Sequence, residues 1–213
     1  MKTKMLVLAT FCLFAVAVNA QFSIGVKGGL NVSSIEEYGS YSLDSKAGFH
    51  GGLMTQYMFN SNWGLESGLY YSLMGGKEKE KDYDYLEPID DYKASANPAY
   101  LQMPLYAIYK FNVGQNLYLY PSLGLHLGYG LNGKFDVKGV DNGEPIDEKR
   151  DFFNDETNRF DMGVGAGINL QYERVIFGLA YEHGLLKINK HDFRYEDENA
   201  FNANLKLSIG FLF

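Results

Sequence analysis

An all-β fold, an eight-stranded antiparallel up-and-down transmembrane β-barrel, is the architecture this sequence predicts. Three observations predict it: eight segments alternate apolar and polar residues with period two, the connections between them alternate short and long, and aromatic residues gather toward the ends of the apolar faces.

Residues 1–20 come before the first strand and read as a signal peptide. Lys2 and Lys4 form a basic start, Met5 to Val18 is an apolar run, and Val18-Asn19-Ala20 offers small residues at a cleavage site before Gln21. An apolar run of about fourteen residues is too short for a membrane-spanning helix, and no basic stop-transfer cluster follows it. Cys12, the only cysteine, lies inside this leader and lacks the small residues that precede a lipoprotein cysteine, so the exported chain has no thiol, disulfide or cysteine metal site. Residues 21–213 then form one domain, the barrel. Loss of Lys2 and Lys4 reduces 19 basic residues to 17 against 26 acidic ones, a balance that argues against a nucleic-acid partner.

The strands are expected at 22–32, 46–59, 63–75, 98–111, 116–131, 158–172, 175–187 and 200–213. The first is glycine-rich. The fifth places Leu117, Leu119, Leu123, Leu125, Leu127, Tyr129 and Leu131 on one face, against Tyr118, Tyr120, Ser122, Gly124, His126, Gly128 and Gly130 on the other. The sixth sets Met162, Val164, Ala166, Ile168 and Leu170 against Asp161, Gly163, Gly165, Asn169 and Gln171. The last sets Leu205, Leu207, Ile209, Phe211 and Phe213 against Asn202, Asn204, Lys206 and Ser208. Tight turns fall at Asn60–Asn62, Asn112–Gln115 and Glu173-Arg174; the connections 33–45, 76–97, 132–157 and 188–199 are long and polar. All short turns then lie at one end of the barrel, with both termini, and all long loops at the other.

Alternation alone also fits a soluble, lipocalin-like ligand-binding barrel. The polar face favours lipid outside: it is built from Gly, Ser, Asn and Gln with an occasional charge, which suits a narrow barrel interior better than a water-facing surface. Aromatics on the apolar side make two girdles. Phe22, Phe59, Trp63, Tyr109, Phe111, Tyr172, Phe177 and Phe213 stand at the short-turn end, and Phe49, Tyr71, Tyr129, Phe160 and Phe201 near the long-loop end.

The leader, the QFSIGVKGGLN opening, the YLQMPLYAIYKF strand at 100–111 and the alternating last strand ending in Phe213 resemble the PorT-like outer-membrane β-barrel proteins of the Bacteroidetes. These are similar in architecture to the OmpX and OmpA barrels. The resemblance covers essentially the whole chain after the leader. It implies an outer-membrane location and contact with outer-membrane lipid, and more loosely a part in a secretion or envelope-assembly machine; it implies no reaction. The last strand, through Leu205, Leu207, Ile209, Phe211 and Phe213, resembles the assembly signal read by the outer-membrane insertion machinery.

Six charged residues fall on the inward parity: Lys27, Glu66, Lys110, Asp161, Glu182 and Lys206. A barrel of this size is filled by its own side chains, so these charges are expected to pair as a polar core in the lumen rather than line a pore. Glu182 and Lys206 are expected to meet. Some outer-membrane barrels modify lipid with a His and a Ser two residues apart on one strand, but His50, His126, His183 and His191 all lack a Ser at that spacing. His183, on the lipid parity, reads as an interfacial side chain. No catalytic residue, cofactor or metal ligand is assigned: the carboxylate-rich loops lack the spacing of a calcium loop, and neither a phosphate-binding loop nor a zinc motif is present.

The function expected is structural, adhesive or envelope-accessory, with a protein or glycan partner at the extracellular loops 76–97 and 132–157. There Tyr83, Tyr85, Tyr92, Phe152 and Phe153 are set among carboxylates and could form a sticky patch. The alternatives are an accessory component of a secretion machine, a lipid-modifying enzyme and a soluble ligand-binding barrel.

Overall fold

A strand in lipid must find partners for every backbone N–H and C=O on its two neighbours, and only a closed ring gives every strand two. A computed structural model of the chain, describing residues 21–37, 43–79, 90–141, 144–155, 157–190 and 200–213, forms such a ring. The leader at 1–20 lies outside the described residues. The strands are β1 (Phe22–Glu37), β2 (Leu43–Met58), β3 (Trp63–Leu73), β4 (Gly76–Lys79), β5 (Asp90–Tyr109), β6 (Phe111–Gly114), β7 (Leu117–Asp141), β8 (Glu144–Asp151), β9 (Phe160–Tyr172), β10 (Val175–Gly184) and β11 (Ala200–Leu212).

Eight of them close the ring in the order β1, β2, β3, β5, β7, β9, β10, β11 and back to β1, every pair antiparallel. β4 continues β3 past a break at Met74-Gly75, β6 continues β5 past Lys110, and β8 is an arm paired to β7. The register fixes the tilt. Partners followed from Ile24 through Thr55, Ser67, Leu105, Leu125, Val164, His183 and Ala203 return to β1 at Ser34, ten residues along the strand. An offset of ten residues at ~3.3 Å each, spread over eight strands ~4.8 Å apart, tilts the strands by about 41°, within the range of transmembrane barrels.

The short-turn end is tied by side chains that replace the missing ladder. Asn60 Oδ1 accepts from the backbone N–H of Asn62 at 2.9 Å and of Trp63 at 2.8 Å. Asn62 then clasps the break after β5, its C=O accepting from Lys110 N–H and its Nδ2 donating to Lys110 O, both at 2.8 Å. Asn116 and Glu173 take left-handed backbone conformations, and Glu173 N–H donates to Asn116 O at 2.9 Å, so two neighbouring turns hold each other.

The long-loop end departs from expectation. The segments 76–97 and 132–157, expected as polar loops, largely continue as sheet: β4 pairs with β5 and β2, β5 starts at Asp90, and β7 runs to Asp141 before β8 returns beside it. The charges of 132–157 lie in complementary register, with Lys134 opposite Asp151, Asp136 opposite Lys149 and Lys138 opposite Asp147. A sequence signal was there to be read: Asn142-Gly143, between the partners Asp141 and Glu144, is a strong hairpin dipeptide.

The apolar parity faces out. Leu123, Leu207 and Phe213 are 65%, 61% and 69% exposed, and Leu119, Leu125, Leu131, Leu205, Ile209 and Phe211 on the same faces are exposed too. Exposure of so many large apolar side chains fits a surface solvated by lipid. The inward parity is buried but is not only small and amide residues. Tyr70, Tyr100, Tyr106 and Tyr120 reach across the lumen, with Met54, Ile108, Ile176 and Leu212 packed together at the short-turn end. Inward glycines make the room: a Cβ on Gly165 would collide with the Tyr106 hydroxyl.

Candidate functional site

The six inward charges occupy three levels of the lumen. Near the short turns Lys27 Nζ donates to Glu66 Oε1 at 2.8 Å. Gln56 Nε2 and the Tyr120 hydroxyl donate to the other oxygen of Glu66, at 2.8 and 3.2 Å. Lys110 Nζ is held by amide oxygens, those of Gln56 at 2.8 Å and Gln171 at 2.7 Å, and lies over the Tyr120 ring. Halfway up, Lys206 Nζ stands 2.6 Å from Glu182 Oε2 and donates to Gln102 Oε1 at 2.8 Å, while Tyr106 donates to Glu182 Oε1 at 2.8 Å. Toward the long-loop end Asp161 Oδ2 accepts from Asn202 Nδ2 at 3.0 Å, with His126 Nε2 3.9 Å away. Two of the six therefore pair with two others, and Lys110 and Asp161 are held mainly by amides. Lys27, Glu66, Glu182 and Lys206 are each compensated by an opposite charge, as burial demands, whereas Lys110 and Asp161 rely on amide dipoles.

Two histidines join this lumen. His126 lies beside Asp161, and His50 bridges β1 and β11, its Nδ1 2.6 Å from Asn31 Oδ1 and its Nε2 3.0 Å from Ser208 Oγ. Parity places both inward; their partners are not legible, because Ser208 is 158 residues from His50 in sequence. A His and a Ser two apart on one strand form a local pattern, whereas His50 and Ser208 meet only through ring closure. Asn31, His50 and Ser208 are all buried, at 0%, 5% and 7% exposure. His183 lies on the outer wall with Tyr181 and Phe201 stacked on either side at 6.5 and 6.3 Å. His191 lies outside the described residues.

The mouth at the long-loop end corrects another expectation. Phe152 and Phe153, read as part of a sticky surface patch, are buried: after β8 the chain turns inward and packs them with Ile35, Met74, Ala96, Tyr100, Ile188 and Ala200. Phe153 meets Tyr100 edge-on at 5.4 Å and Phe152 at 5.0 Å. Gly130 admits the ring, since a Cβ there would overlap it. Arg159 covers it from outside, its guanidinium 5.1 Å from the Phe153 ring and bonded to the carbonyls of Gly130 and Leu131 at 3.0 Å. Two adjacent aromatics on a charged loop gain more from closing an apolar mouth than from facing water. Tyr83, Tyr85 and the Tyr92 side chain lie outside the described residues.

Above this plug stands the extracellular sheet, whose arm β8 pairs on one side with β7 and, among the described residues, has no partner on the other. Its side chains are mostly exposed and charged. Lys134 donates to Asp151 at 2.6 Å and Arg150 to Glu148 at 2.5 Å. The Lys134 hydrogen bond and charge hold the Asp151 carboxyl below the usual carboxylate range.

Residues 17–190 match a family model described as outer membrane protein beta-barrel domain. Among curated proteins none matches the chain. Solved structures to which it is similar include Ail, the attachment invasion locus protein of Yersinia pestis, determined with the heparin analogue sucrose octasulfate. That likeness has 17% identity and a TM-score of 0.47, over 91% of this chain and 99% of Ail. Others are Neisserial surface protein A, at 18% identity and a TM-score of 0.42 over 89% and 97% of the two chains, and OprG from Pseudomonas aeruginosa, at 17% and 0.45 over 91% and 96%.

Proposed function

The chain belongs to the outer membrane protein β-barrel domain family, and from that premise we propose that it is a closed, non-catalytic scaffold of the outer membrane that presents its extracellular sheet to an extended segment of a protein partner. One observation carries this: the edge of β8, unpartnered among the described residues, stands over a lumen filled by side chains and a mouth shut by Phe152 and Phe153. An unpaired strand edge offers a row of N–H and C=O groups to an incoming strand, and the mixed acidic and basic side chains of β8 select what joins it. An adhesive or envelope-accessory role follows. Export depends on cleavage of residues 1–20, and insertion on the aromatic-ended β11. A place in a secretion or envelope-assembly machine, as the PorT-like resemblance implies, is the specific form of the accessory reading.

The test compares the barrel in its native envelope, with a photo-crosslinker on exposed β8 positions such as Lys149, to the same probe at Leu123 on the lipid wall. Crosslinks to a polypeptide from position 149 and not from position 123, together with loss of that polypeptide from barrels in which residues 134–151 are replaced by a two-residue turn, support the proposal. Equal crosslinking from the trimmed barrel at other extracellular positions would move the function elsewhere.

A second reading, a hydrolase, has one observation in its favour, the alignment of Ser208, His50 and Asn31. Labelling of Ser208 by a fluorophosphonate in the folded barrel would support it.

A further inference from the structure

The outer wall carries an indentation that the chain's own packing does not require. Gly28 of β1 and Gly51 of β2 are register partners on the lipid-facing parity, where the neighbouring positions hold Val26, Leu30, Phe49 and Leu53. A Cβ on Gly51 would meet nothing within 4 Å, and one on Gly28 would meet only His50 O at 3.2 Å and Gly51 Cα at 3.6 Å. The inward glycines of the same strands differ: a Cβ on Gly25, Gly29 or Gly52 would strike the backbone of the next strand. Glycine weakens a strand and, where nothing inside the protein crowds it, marks the close approach of something outside.

From Gly28, directly across from Gly51, an apolar groove of about 700 Å³ runs over the wall, lined by Val26, Leu53, Ile209, Gly210, Phe211 and Val175. That volume is in the range of small-molecule sites, ~300–1,000 Å³. The groove has a direction. Val175 is the first residue after the Glu173-Arg174 turn, so one end opens at the short-turn, periplasmic interface, while Gly28 and Gly51 lie higher on the wall. Arg174 is exposed at the lower end, beside an equally exposed Glu173, and its carbonyl is engaged by Leu212 N–H at 2.8 Å, which fixes its backbone next to β11.

We propose that this groove binds one glycerophospholipid of the periplasmic leaflet, an acyl chain lying along it against Gly28 and Gly51 with the phosphate at Arg174. The occupant follows from the surroundings. The groove lies within the lipid-facing belt of a membrane barrel, the reading on which this site rests, and its lining runs from Val175, next in the chain to the exposed Arg174, to Gly28 and Leu53 higher on the wall. A second copy of the barrel would bring another wall of large apolar side chains to this shallow groove, with no phosphate for Arg174.

The experiment uses the mature barrel, folded in detergent and titrated with palmitoyl-oleoyl phosphatidylethanolamine, with bound lipid counted by native mass spectrometry. The wild type is expected to keep one phospholipid per barrel under activation that strips the rest. Gly51→Leu, whose Cβ has nothing of the chain within 4 Å, and Gly28→Ala are expected to lower retention about tenfold or more; Arg174→Glu lowers it and Arg174→Lys restores it. Leu123→Ala, on another part of the wall, leaves it unchanged. Each variant is first shown to be folded by different migration of boiled and unboiled samples on a gel. A folded Gly51→Leu barrel that keeps its lipid as the wild type does overturns the site. A lipid-free dimer in the wild type, lost in Gly51→Leu, overturns it in favour of a second copy. Absence of any heat shift in the wild type would instead overturn the barrel reading itself.

Discussion

Glu182 of β10 and Lys206 of β11 approach to 2.6 Å inside the lumen, both buried, with Tyr106 on the free carboxylate oxygen and Gln102 on the ammonium. They are not register partners, since Lys206 is opposite Ala180 and Glu182 is opposite Asn204, so the pair is diagonal and spans two rungs. Alanine at either position alone is expected to cost roughly 3–5 kcal/mol, because it strands the other charge in a dry site. The double variant is expected to lose less than the two single losses added together. Urea unfolding in lipid vesicles measures all three, and strict additivity would show that the two charges do not act as a pair.

Closure of the ring depends on the last residues. Leu212 N–H donates to Arg174 O at 2.8 Å and Phe213 N–H to Ile24 O at 2.9 Å, while Leu212 packs with Ile176 and Tyr120. Removing Leu212 and Phe213 is expected to leave export intact but to leave the protein in the periplasm, as followed by fractionation. Phe211→Asp is expected to act in the same direction more weakly, because a lipid-facing charge costs about 2–4 kcal/mol at the bilayer middle and less near an interface. Normal insertion of both variants would remove β11 as the assembly signal.

Phe153→Ala empties the centre of the mouth cluster and leaves a cavity between Tyr100 and Gly130. A truncation of that size costs about 3–5 kcal/mol where the surroundings cannot collapse. The expected outcome is a lowered thermal midpoint, together with entry of small solutes into the mouth, read from faster amide exchange around Tyr100 and Asn202. Unchanged protection there would mean that Phe152 alone closes the barrel.

The extracellular hairpin carries a pH dependence of known sign. The Asp151 carboxyl is held below its ordinary value by Lys134, so the pair stabilises the hairpin above the carboxylate range and that contribution is lost as pH falls through the depressed value. Both side chains are exposed and the effect is small. Amide protection along β8, corrected for intrinsic exchange, should fall on acidification in the wild type and depend less on pH in Asp151→Asn. Identical profiles would show that the pair does not contribute.

Period-two alternation in the chain determined the architecture, the lipid face and the inward charges, because side-chain direction in a strand is set by parity alone and each segment carries its own parity. Lys27, Glu66, Lys110, Asp161, Glu182 and Lys206 could thus be placed inside without knowing which would meet. Partners were decided by the ten-residue stagger of the ring, which brings Ser208 to His50 and Tyr106 to Glu182 across strands that no local pattern connects. The mouth was decided the same way: Phe152 and Phe153 sit among acids and bases in sequence, and only the return of β8 shows that an apolar ring of Tyr100, Met74 and Ile35 waits beneath them. Local charge pattern also misrepresented the extracellular segments, because attraction or repulsion between two charges depends on which residue lies opposite, and that is a property of register rather than of order along the chain.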